Sequence, residues 1–167
     1  MIVRQACAAD VSILVELSRR VQERLTASGS LQQFGPLAPE TVAGYVSAGH
    51  AYVLDARPGV VGGTFVEAVD PERFPALARW GLDAVTGSIW FLSKLMIDPA
   101  RQGNGLGYIL LDGVKADIAR RGAGAIVLDC WAGNETLRAF YTRAGFTLHG
   151  VFPAGGFEVA VFVQPLT

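Results

Sequence analysis

The apolar positions of this chain follow two spacings, one typical of helices and the other typical of short strands. Helical spacing first occurs after Asp10, whose side chain is expected to cap the helix that follows. The apolar face of that helix carries Leu14, Leu17, Val21 and Leu25. Further helices are predicted over residues 39–49, 107–121 and 134–145. Short apolar runs predict strands over residues 2–6, 51–55, 60–67, 89–97, 125–130, 146–151 and 157–163.

These elements follow one another in the order β-α-α-β-β-β-α-β-α-β-β, which is typical of an α/β protein with a mixed sheet. The apolar run over residues 89–97 is interrupted by Ser93 and Lys94 alone, so we expect a central, buried strand there. Two stretches fit neither spacing. Residues 26–39 predict a loop that is long enough to be functional. Residues 70–87 predict a second irregular insertion, with a short helix near residues 74–80.

Length and composition restrict the class of protein. A chain of 167 residues fits one domain. Hydrophobic residues make up 51% of the chain and charged residues only 17%, so a disordered chain is excluded. The 14 basic and 15 acidic residues give a net charge of -1. This balance lacks the positive charge with which proteins bind nucleic acid or an anionic membrane.

The sequence carries no signal for export, for a membrane span or for a metal site. Its first residues lack the three segments of a signal peptide, and no apolar run approaches the roughly 18 residues that span a bilayer. We therefore expect a cytoplasmic protein without a membrane partner. Cys7 and Cys130 cannot make a disulfide framework, and no Cys or His spacing indicates zinc, so no metal is expected. Cys130 is expected to be a buried small side chain rather than a nucleophile.

The sharpest local signal is a glycine-rich segment between the strand over residues 89–97 and the next helix. Its residues are Gln102, Gly103, Asn104, Gly105, Leu106 and Gly107. Alternating glycines allow several backbone N–H groups to point at one anion, with the helix N-terminus behind them. The segment therefore predicts a phosphate-binding loop.

Two other interpretations of this segment compete, and a third is excluded. A dinucleotide-binding loop would use Gly103 and Gly105, with Asp129 as the ribose-binding acid, but Tyr108 stands where the third glycine is needed. A Walker loop is excluded, because no Lys-Ser or Lys-Thr pair follows the glycines. A tight turn that lets a helix pack closely would need no ligand.

Together with its flanks, the segment resembles the GNAT superfamily of N-acetyltransferases. Residues 102–107 match the signature of the superfamily's pyrophosphate loop, which is Arg or Gln followed by x-x-Gly-x-Gly or Ala. Residues 95–99 look like the strand that precedes that loop. The downstream motif is similar at residues 128–131, Asn134, Tyr141, Gly145 and Phe146. The resemblance covers residues 89–151, and the first half of the chain resembles the superfamily in element order alone.

The resemblance implies a single GNAT-like domain over residues 1–167. Its acceptor side would lie mainly in residues 1–88, with a pocket from residues 26–39 and 70–87, and its acetyl-CoA-binding core in residues 89–151. A sheet of about seven strands would be flanked by about four helices, and the central strand pair would splay apart. The implied reaction is direct transfer of an acetyl group from acetyl-CoA to a primary amine. The acceptor would be an unidentified small molecule or amino-acid-like compound, and the protein a monomer or homodimer.

The resemblance also implies a set of cofactor-binding residues. The pyrophosphate would bind the loop, and the pantetheine arm would pair with an exposed strand edge. Asn134 would cap its helix and offer its amide to this arm, although a cap alone is the other interpretation. Arg138 or Arg143 would meet the 3′-phosphate. The full set is Met96, Ile97, Gln102, Gly103, Asn104, Gly105, Leu106, Gly107, Tyr108, Asn134, Arg138 and Arg143.

Tyr141 is the implied catalytic acid, because a phenol at neutral pH can protonate or hydrogen-bond a departing thiolate. The alternative is a core aromatic residue beside Phe140. Glu67 is the candidate base by analogy, or a solvated residue at a strand end. Ser93 stands where many relatives carry His, so no histidine base is expected there. Two other functions stay open, a non-catalytic acyl-CoA sensor or interaction domain and a dinucleotide-dependent oxidoreductase.

Overall fold

A computed structural model of the chain describes residues 1–83 and 87–166, so Thr167 and residues 84–86 of the predicted insertion lie outside the described residues. The helices described are α1 (Val11–Ala27), α2 (Pro39–Ser47), α3 (Ala76–Arg79), α4 (Leu106–Arg120) and α5 (Glu135–Arg143). The strands described are β1 (Ile2–Gln5), β2 (Ala51–Asp55), β3 (Val60–Ala68), β4 (Ile89–Ile97), β5 (Ala125–Trp131), β6 (Thr147–Pro153) and β7 (Glu158–Pro165). None of these helices combines the length and the apolar character that a membrane crossing requires.

The strands of the described residues form one seven-stranded sheet in the order β1-β2-β3-β4-β5-β7-β6. Strands β1 and β2, β2 and β3, β5 and β7, and β6 and β7 pair antiparallel. Strands β4 and β5 are parallel, with residues 89–91 opposite residues 125–127. Parallel neighbours need a long crossover, and α4 lies in the segment that connects them. The predicted element order and the mixed α/β sheet are confirmed, and α3 is the short helix that was predicted near residues 74–80.

The described chain divides into two compact units, of which the first comprises Met1–Val66 and Ser93–Ala116. Its core joins the apolar face of α1 to the strands. The buried side chains of this core are Leu14, Leu17, Val21, Val42, Ala51, Val53, Phe65 and Met96. Met96 is completely buried, so this core holds the part of β4 that leads to the glycine loop.

The second unit comprises Glu67–Leu92 and Asp117–Thr167. Its buried core side chains are Leu77, Trp80, Leu82, Ile89, Val127, Val159 and Val161. The insertion after β3 supplies part of this core: the rings of Phe74 and Phe91 have centroids 4.9 Å apart, and the Trp80 ring packs against Phe152. The Nε2 atom of His149 lies 2.6 Å from the Trp80 carbonyl oxygen. Much of the apolar surface of this insertion is therefore used to stabilise the fold.

The start of α1 differs from the sequence-based prediction. A 3₁₀ turn over Ala8–Asp10 precedes the helix, and the Asp10 side chain makes no capping hydrogen bond to it. The Asp10 carboxylate instead accepts from the Cys7 backbone N–H at 2.8 Å and pairs with Arg4 at 2.8 Å. The hydrogen bond from Arg4 holds the pKa of Asp10 below its ordinary value. The predicted cap was wrong because Asp10 already has helical backbone angles, so its carboxylate reaches back to the Cys7 N–H and to Arg4 rather than forward to the N–H groups of α1.

Strand β3 approaches β4 closely at Gly62, which positions the strand segment before the loop. A Cβ atom built on Gly62 would lie 2.8 Å from the Met96 carbonyl oxygen and 2.8 Å from Cδ1 of Ile97. The carbonyl oxygen belongs to backbone that the core holds in place, so it cannot move aside cheaply. The lack of a side chain at residue 62 therefore permits the observed packing of Met96 and Ile97.

We predict that Gly62→Ala lowers the free energy of unfolding by about 1–3 kcal/mol, the usual cost of overpacking. The matched control is Gly44→Ala in α2, where an added Cβ has no heavy atom within 4 Å. That control should gain about 0.5–1 kcal/mol, because alanine favours a helix over glycine. Urea unfolding of the three proteins measures both effects. Equal stability of Gly62→Ala and the unaltered protein would contradict the close approach.

Candidate functional site

The backbone of β4 is irregular where the strand approaches the glycine loop. Lys94 has a φ of 56°, in the left-handed region that side chains other than glycine rarely adopt. Its ammonium lies 5.1 Å from the centroid of the Phe34 ring and 3.5 Å from the Gln33 carbonyl oxygen. The regular strand conformation is thus interrupted two residues before Met96, at the start of the segment that was predicted to receive pantetheine.

A short turn connects β4 to the loop, and Asp98 begins it. The Asp98 backbone N–H donates to the Val61 carbonyl oxygen at 2.8 Å, which extends the contact with β3 by one residue. The Asp98 carboxylate accepts from the Ala100 backbone N–H at 3.0 Å and caps the 3₁₀ turn Pro99–Arg101. The same carboxylate oxygen lies 2.6 Å from a guanidinium nitrogen of Arg20 on α1. Three separate contacts therefore hold the residue from which the loop departs.

The loop over residues 102–107 has the conformation that its glycines allow. Gly103 has a φ of 88° and Gly105 a φ of 73°, and a Cβ atom built on either residue would have no heavy atom within 4 Å. Asn104 Nδ2 donates to the Arg101 carbonyl oxygen at 2.9 Å, which closes the loop on the preceding turn. Gln102 Nε2 lies 3.4 Å from the Ile97 carbonyl oxygen. Residues 102–105 are exposed. The backbone of this loop is accordingly open to a ligand.

The first turn of α4 follows the loop directly. The Ile109 N–H donates to the Gly105 carbonyl oxygen at 3.3 Å. The N–H groups of residues 106–108 precede this bond, at positions where a helix offers no acceptor of its own. Leu106 and Leu110 are buried, so the first turns of α4 are anchored in the first unit. Exposed glycine backbone, the N–H groups of the first helical turn and the positive end of the helix dipole together fit a phosphate group.

In the second unit, α5 carries the other predicted cofactor residues. The Asn134 side-chain oxygen accepts from the Leu137 backbone N–H at 3.0 Å, so the predicted cap is confirmed. The cap uses the oxygen of the amide and leaves its NH₂ group as the donor for a ligand. Arg138 donates to the Ala132 carbonyl oxygen at 2.9 Å and is half-buried. Arg143, in the last turn of α5, is exposed.

Tyr141 is buried on α5, where 4% of its surface remains accessible. Its ring packs against Phe140, Phe146 and Phe162 at centroid distances of 5.3, 5.8 and 5.7 Å. Burial raises the pKa of the Tyr141 phenol above its ordinary value, and nearby Asp129 adds to this shift. The hydroxyl therefore keeps its proton at neutral pH and can act as a donor. Its aromatic contacts also fit the alternative structural role.

The other predicted residues are less constrained. Glu67 is half-buried near the end of β3, and Ser93 is half-buried on β4. The first unit brings together Met96, Ile97 and residues 102–108, whereas the second unit holds Glu67 and the four candidates on α5. Within residues 1–83 and 87–166, no three His, Cys, Asp or Glu side chains form a group that could hold a metal ion. The catalytic and binding roles of these residues remain predictions.

Sequence reasoning missed two residues that shape the loop, Asp98 and Arg20. The Asp98-Pro99 pair is a recognisable signal, because Asp is a preferred N-cap residue and Pro is favoured at the first position of a helical turn. Arg20 carries no such signal. It lies 78 residues from Asp98 in the sequence, and its neighbour Arg19 is the same residue type with different partners.

The comparisons with known proteins agree with the resemblance. The acetyltransferase (GNAT) family model matches residues 37–146 of the chain. The chain is 28% identical over 156 residues to the "uncharacterized N-acetyltransferase YesJ" of Bacillus subtilis (strain 168), a match that covers 90% of this chain and 85% of YesJ.

Solved structures share the fold over almost the whole chain. One of them is the structure of yncA from Salmonella typhimurium with its cofactor acetyl-CoA. It superimposes with a TM-score of 0.74 and is 18% identical in sequence, and the match covers 100% of this chain and 94% of yncA. A ribosomal-protein-alanine N-acetyltransferase from Brucella melitensis is similar with a TM-score of 0.74 and 17% identity over 99% of this chain and 100% of that protein.

The two cysteines should differ sharply in reactivity. Cys7 is exposed, whereas Cys130 is 2% exposed and burial raises the pKa of its thiol to about 12. Because the thiolate is the reactive form, only about one Cys130 in 10⁴ is reactive at pH 8. Titration with a disulfide reagent should detect one thiol in the folded protein and two in guanidinium. Cys7→Ser should remove the fast reaction, and a fast reaction that persisted would contradict this account of Cys130.

Proposed function

Because this chain belongs to the acetyltransferase (GNAT) family, we propose that it transfers an acetyl group from acetyl-CoA directly to a primary amine. The observation that carries this proposal is the exposed loop over residues 102–107, which combines two left-handed glycines with the start of α4. Neither a tight packing turn nor a dinucleotide loop accounts for it as well. Space around both glycines argues against the first, and Tyr108 in place of a third glycine argues against the second.

The loop and β4 would bind the donor substrate. The N–H groups of residues 102–107 would bind the pyrophosphate through hydrogen bonds and the helix dipole. Met96 and Ile97 would pair with the pantetheine arm along the edge of β4, and Asn134 would donate its NH₂ group to the same arm. Arg138 or Arg143 would meet the 3′-phosphate, and the Arg143 side chain is exposed.

Acetyl-CoA supplies an acetyl group that is activated as a thioester. The neutral amine nitrogen of the acceptor attacks the thioester carbonyl carbon, so a C–N bond forms. The C–S bond breaks, and its electron pair leaves on sulfur. The nitrogen gives up one proton to a base, and the sulfur gains one from an acid, so the products are an amide and a free thiol. A buried thiol with a raised pKa makes Cys130 unsuitable as an acyl carrier, which favours direct transfer.

Tyr141 is the acid in this proposal. A phenol whose pKa is raised by burial remains protonated, so it can donate a hydrogen bond to sulfur as negative charge develops there, and it passes on its proton less readily than an exposed phenol would. Glu67 is the proposed base, because it is a half-buried carboxylate near the end of β3. The amine must lose its proton before it can attack, and a carboxylate can accept that proton directly or through water.

The remaining features of the proposal concern the acceptor and the setting. We propose a small-molecule or amino-acid-like amine, taken by a protein that acts as one domain over residues 1–167 in the cytoplasm, as a monomer or homodimer. The acceptor side would lie mainly in residues 1–88. Phe74 and Trp80 pack in the core of the second unit, and Phe34 packs against the core of the first, so these rings contribute to the fold in both segments of the predicted pocket.

A panel of primary amines tests the proposed reaction. The purified protein is incubated with acetyl-CoA and each amine, and mass spectrometry detects the acetylated product. Product formation that requires both the protein and the amine supports the proposal. Binding of acetyl-CoA without any acetylated product across a broad panel would favour the sensor domain. Binding of a nicotinamide dinucleotide in place of acetyl-CoA would favour the oxidoreductase.

Tyr141→Phe removes one hydroxyl and almost no volume. If the hydroxyl stabilises the leaving sulfur, kcat should fall by about 10- to 10⁴-fold while the Kd of acetyl-CoA stays unchanged. Tyr52→Phe is the matched control, since it removes another buried phenol hydroxyl, on β2. It should retain full kcat. Steady-state rates are compared after thermal melting has confirmed that both variants are folded. Full activity of Tyr141→Phe would remove Tyr141 from the catalytic residues.

A further inference from the structure

We propose that Arg20 on α1 is a positioning residue for acetyl-CoA binding, and that it acts through Asp98 on the loop over residues 102–107. This inference rests on the proposed function, because it assigns a partner to the loop that would bind pyrophosphate. Arg20 lies outside the sequence segments that resemble the family. It would not contact the substrate itself.

The ion pair fixes the carboxylate that caps the turn before the loop. One guanidinium nitrogen of Arg20 lies 2.6 Å from Oδ1 of Asp98. The same Oδ1 accepts from the Ala100 backbone N–H at 3.0 Å. Because one oxygen makes both bonds, the rotamer that pairs with Arg20 is also the rotamer that caps the turn. Loss of the guanidinium would free the Asp98 carboxylate to leave the turn for water.

The 3₁₀ turn Pro99–Arg101 also holds the loop over residues 102–107 in place. Arg101 ends the turn, and its carbonyl oxygen accepts from Asn104 Nδ2 at 2.9 Å. The loop has few other restraints: Gln102 Nε2 lies 3.4 Å from the Ile97 carbonyl oxygen, and no heavy atom lies within 4 Å of the Cβ positions of Gly103 and Gly105. Its exit is anchored by the buried Leu106 of α4. The entry of the loop therefore depends on the Asp98 side chain, and the orientation of that side chain depends on Arg20.

The Arg20 pair is better shielded from water than the neighbouring ion pairs on α1. The Arg20 and Asp98 side chains are 32% and 19% exposed. Arg19 pairs with Glu16 and Glu23 within the helix, and these three side chains are 46%, 44% and 63% exposed. Exposed pairs contribute little, because water screens the charges and ordering long side chains costs entropy. Adjacent arginines on one helix thus provide a test residue and a matched control.

The expected effect is on binding rather than on chemistry. Arg20→Met should raise the Kd of acetyl-CoA about fivefold to tenfold, a size that coupled charged groups reach, and leave kcat at saturating acetyl-CoA unchanged. Arg20→Lys keeps one charged donor for a contact that uses one nitrogen, so its Kd should stay within about twofold of the unaltered protein. Arg19→Met removes the same charge from α1 and should leave the Kd unchanged.

Asp98→Asn separates positioning from simple charge attraction. The Asn side-chain oxygen can still cap Ala100, but the charge that holds Arg20 is gone. If Arg20 only attracted the phosphates through its charge, Asp98→Asn would tighten binding, because it removes a negative charge. Positioning requires that Asp98→Asn weakens binding about as much as Arg20→Met does, and that the double variant is no worse than either single variant.

Calorimetric titration of acetyl-CoA into the unaltered protein and these variants decides the matter, after thermal melting of each. Should Arg20→Met not fold, Asp98→Asn and Arg20→Lys carry the same comparison. Weaker binding by both Arg20→Met and Asp98→Asn, with Arg19→Met unchanged, is the expected result. An unchanged Kd in Arg20→Met, or tighter binding by Asp98→Asn, overturns the inference and leaves the proposed function standing. No binding by the unaltered protein would overturn the proposed function, and the inference with it.

Discussion

The first turn of a helix cannot satisfy its own N–H groups, and the candidate site depends on where those groups lie in α4. Buried Leu106 and Leu110 prevent α4 from shifting along its axis. Its first N–H groups therefore remain at the end of an exposed, glycine-containing loop, and they need acceptors from outside the helix. An anion meets that need at a position where side chains leave room for it. The close approach of β3 to β4 and the contacts of Asp98 position the chain at the start of the glycine loop, directly before α4.

Much of the fold was predictable because its signals are local. The apolar run over residues 89–97 became β4 with the predicted limits, and Asn134 caps α5 as its residue type suggests. Both signals lie within a few neighbouring residues. Asp10 shows the limit of such reasoning. Its residue type and position predicted a cap, but its backbone is already helical and its carboxylate binds Arg4 and the Cys7 N–H, which lie before the helix. Sequence spacing alone does not rank two available partners.

The candidate site was predictable where glycine residues indicate an unusual backbone conformation. Gly103 and Gly105 were expected to permit an unusual loop, and both have positive φ values. The left-handed Lys94 was not expected, since nothing about a lysine in an apolar run signals it. Arg20 was missed for a different reason. Its partner is distant in sequence, and only the fold brings the two together. The catalytic roles of Tyr141 and Glu67 depend on contacts with substrates, and they remain proposals.

We propose that the backbone N–H groups of residues 102–107 bind the pyrophosphate of acetyl-CoA. Amide proton–nitrogen NMR spectra recorded during titration with acetyl-CoA test it most directly, because each of these groups gives its own signal. We expect the signals of these amides to shift most, and the amides to become protected from hydrogen exchange. S-acetylpantetheine, which lacks the pyrophosphate, should leave them unchanged. Saturation with acetyl-CoA that shifted amides elsewhere but left the signals of residues 102–107 unchanged would contradict this assignment.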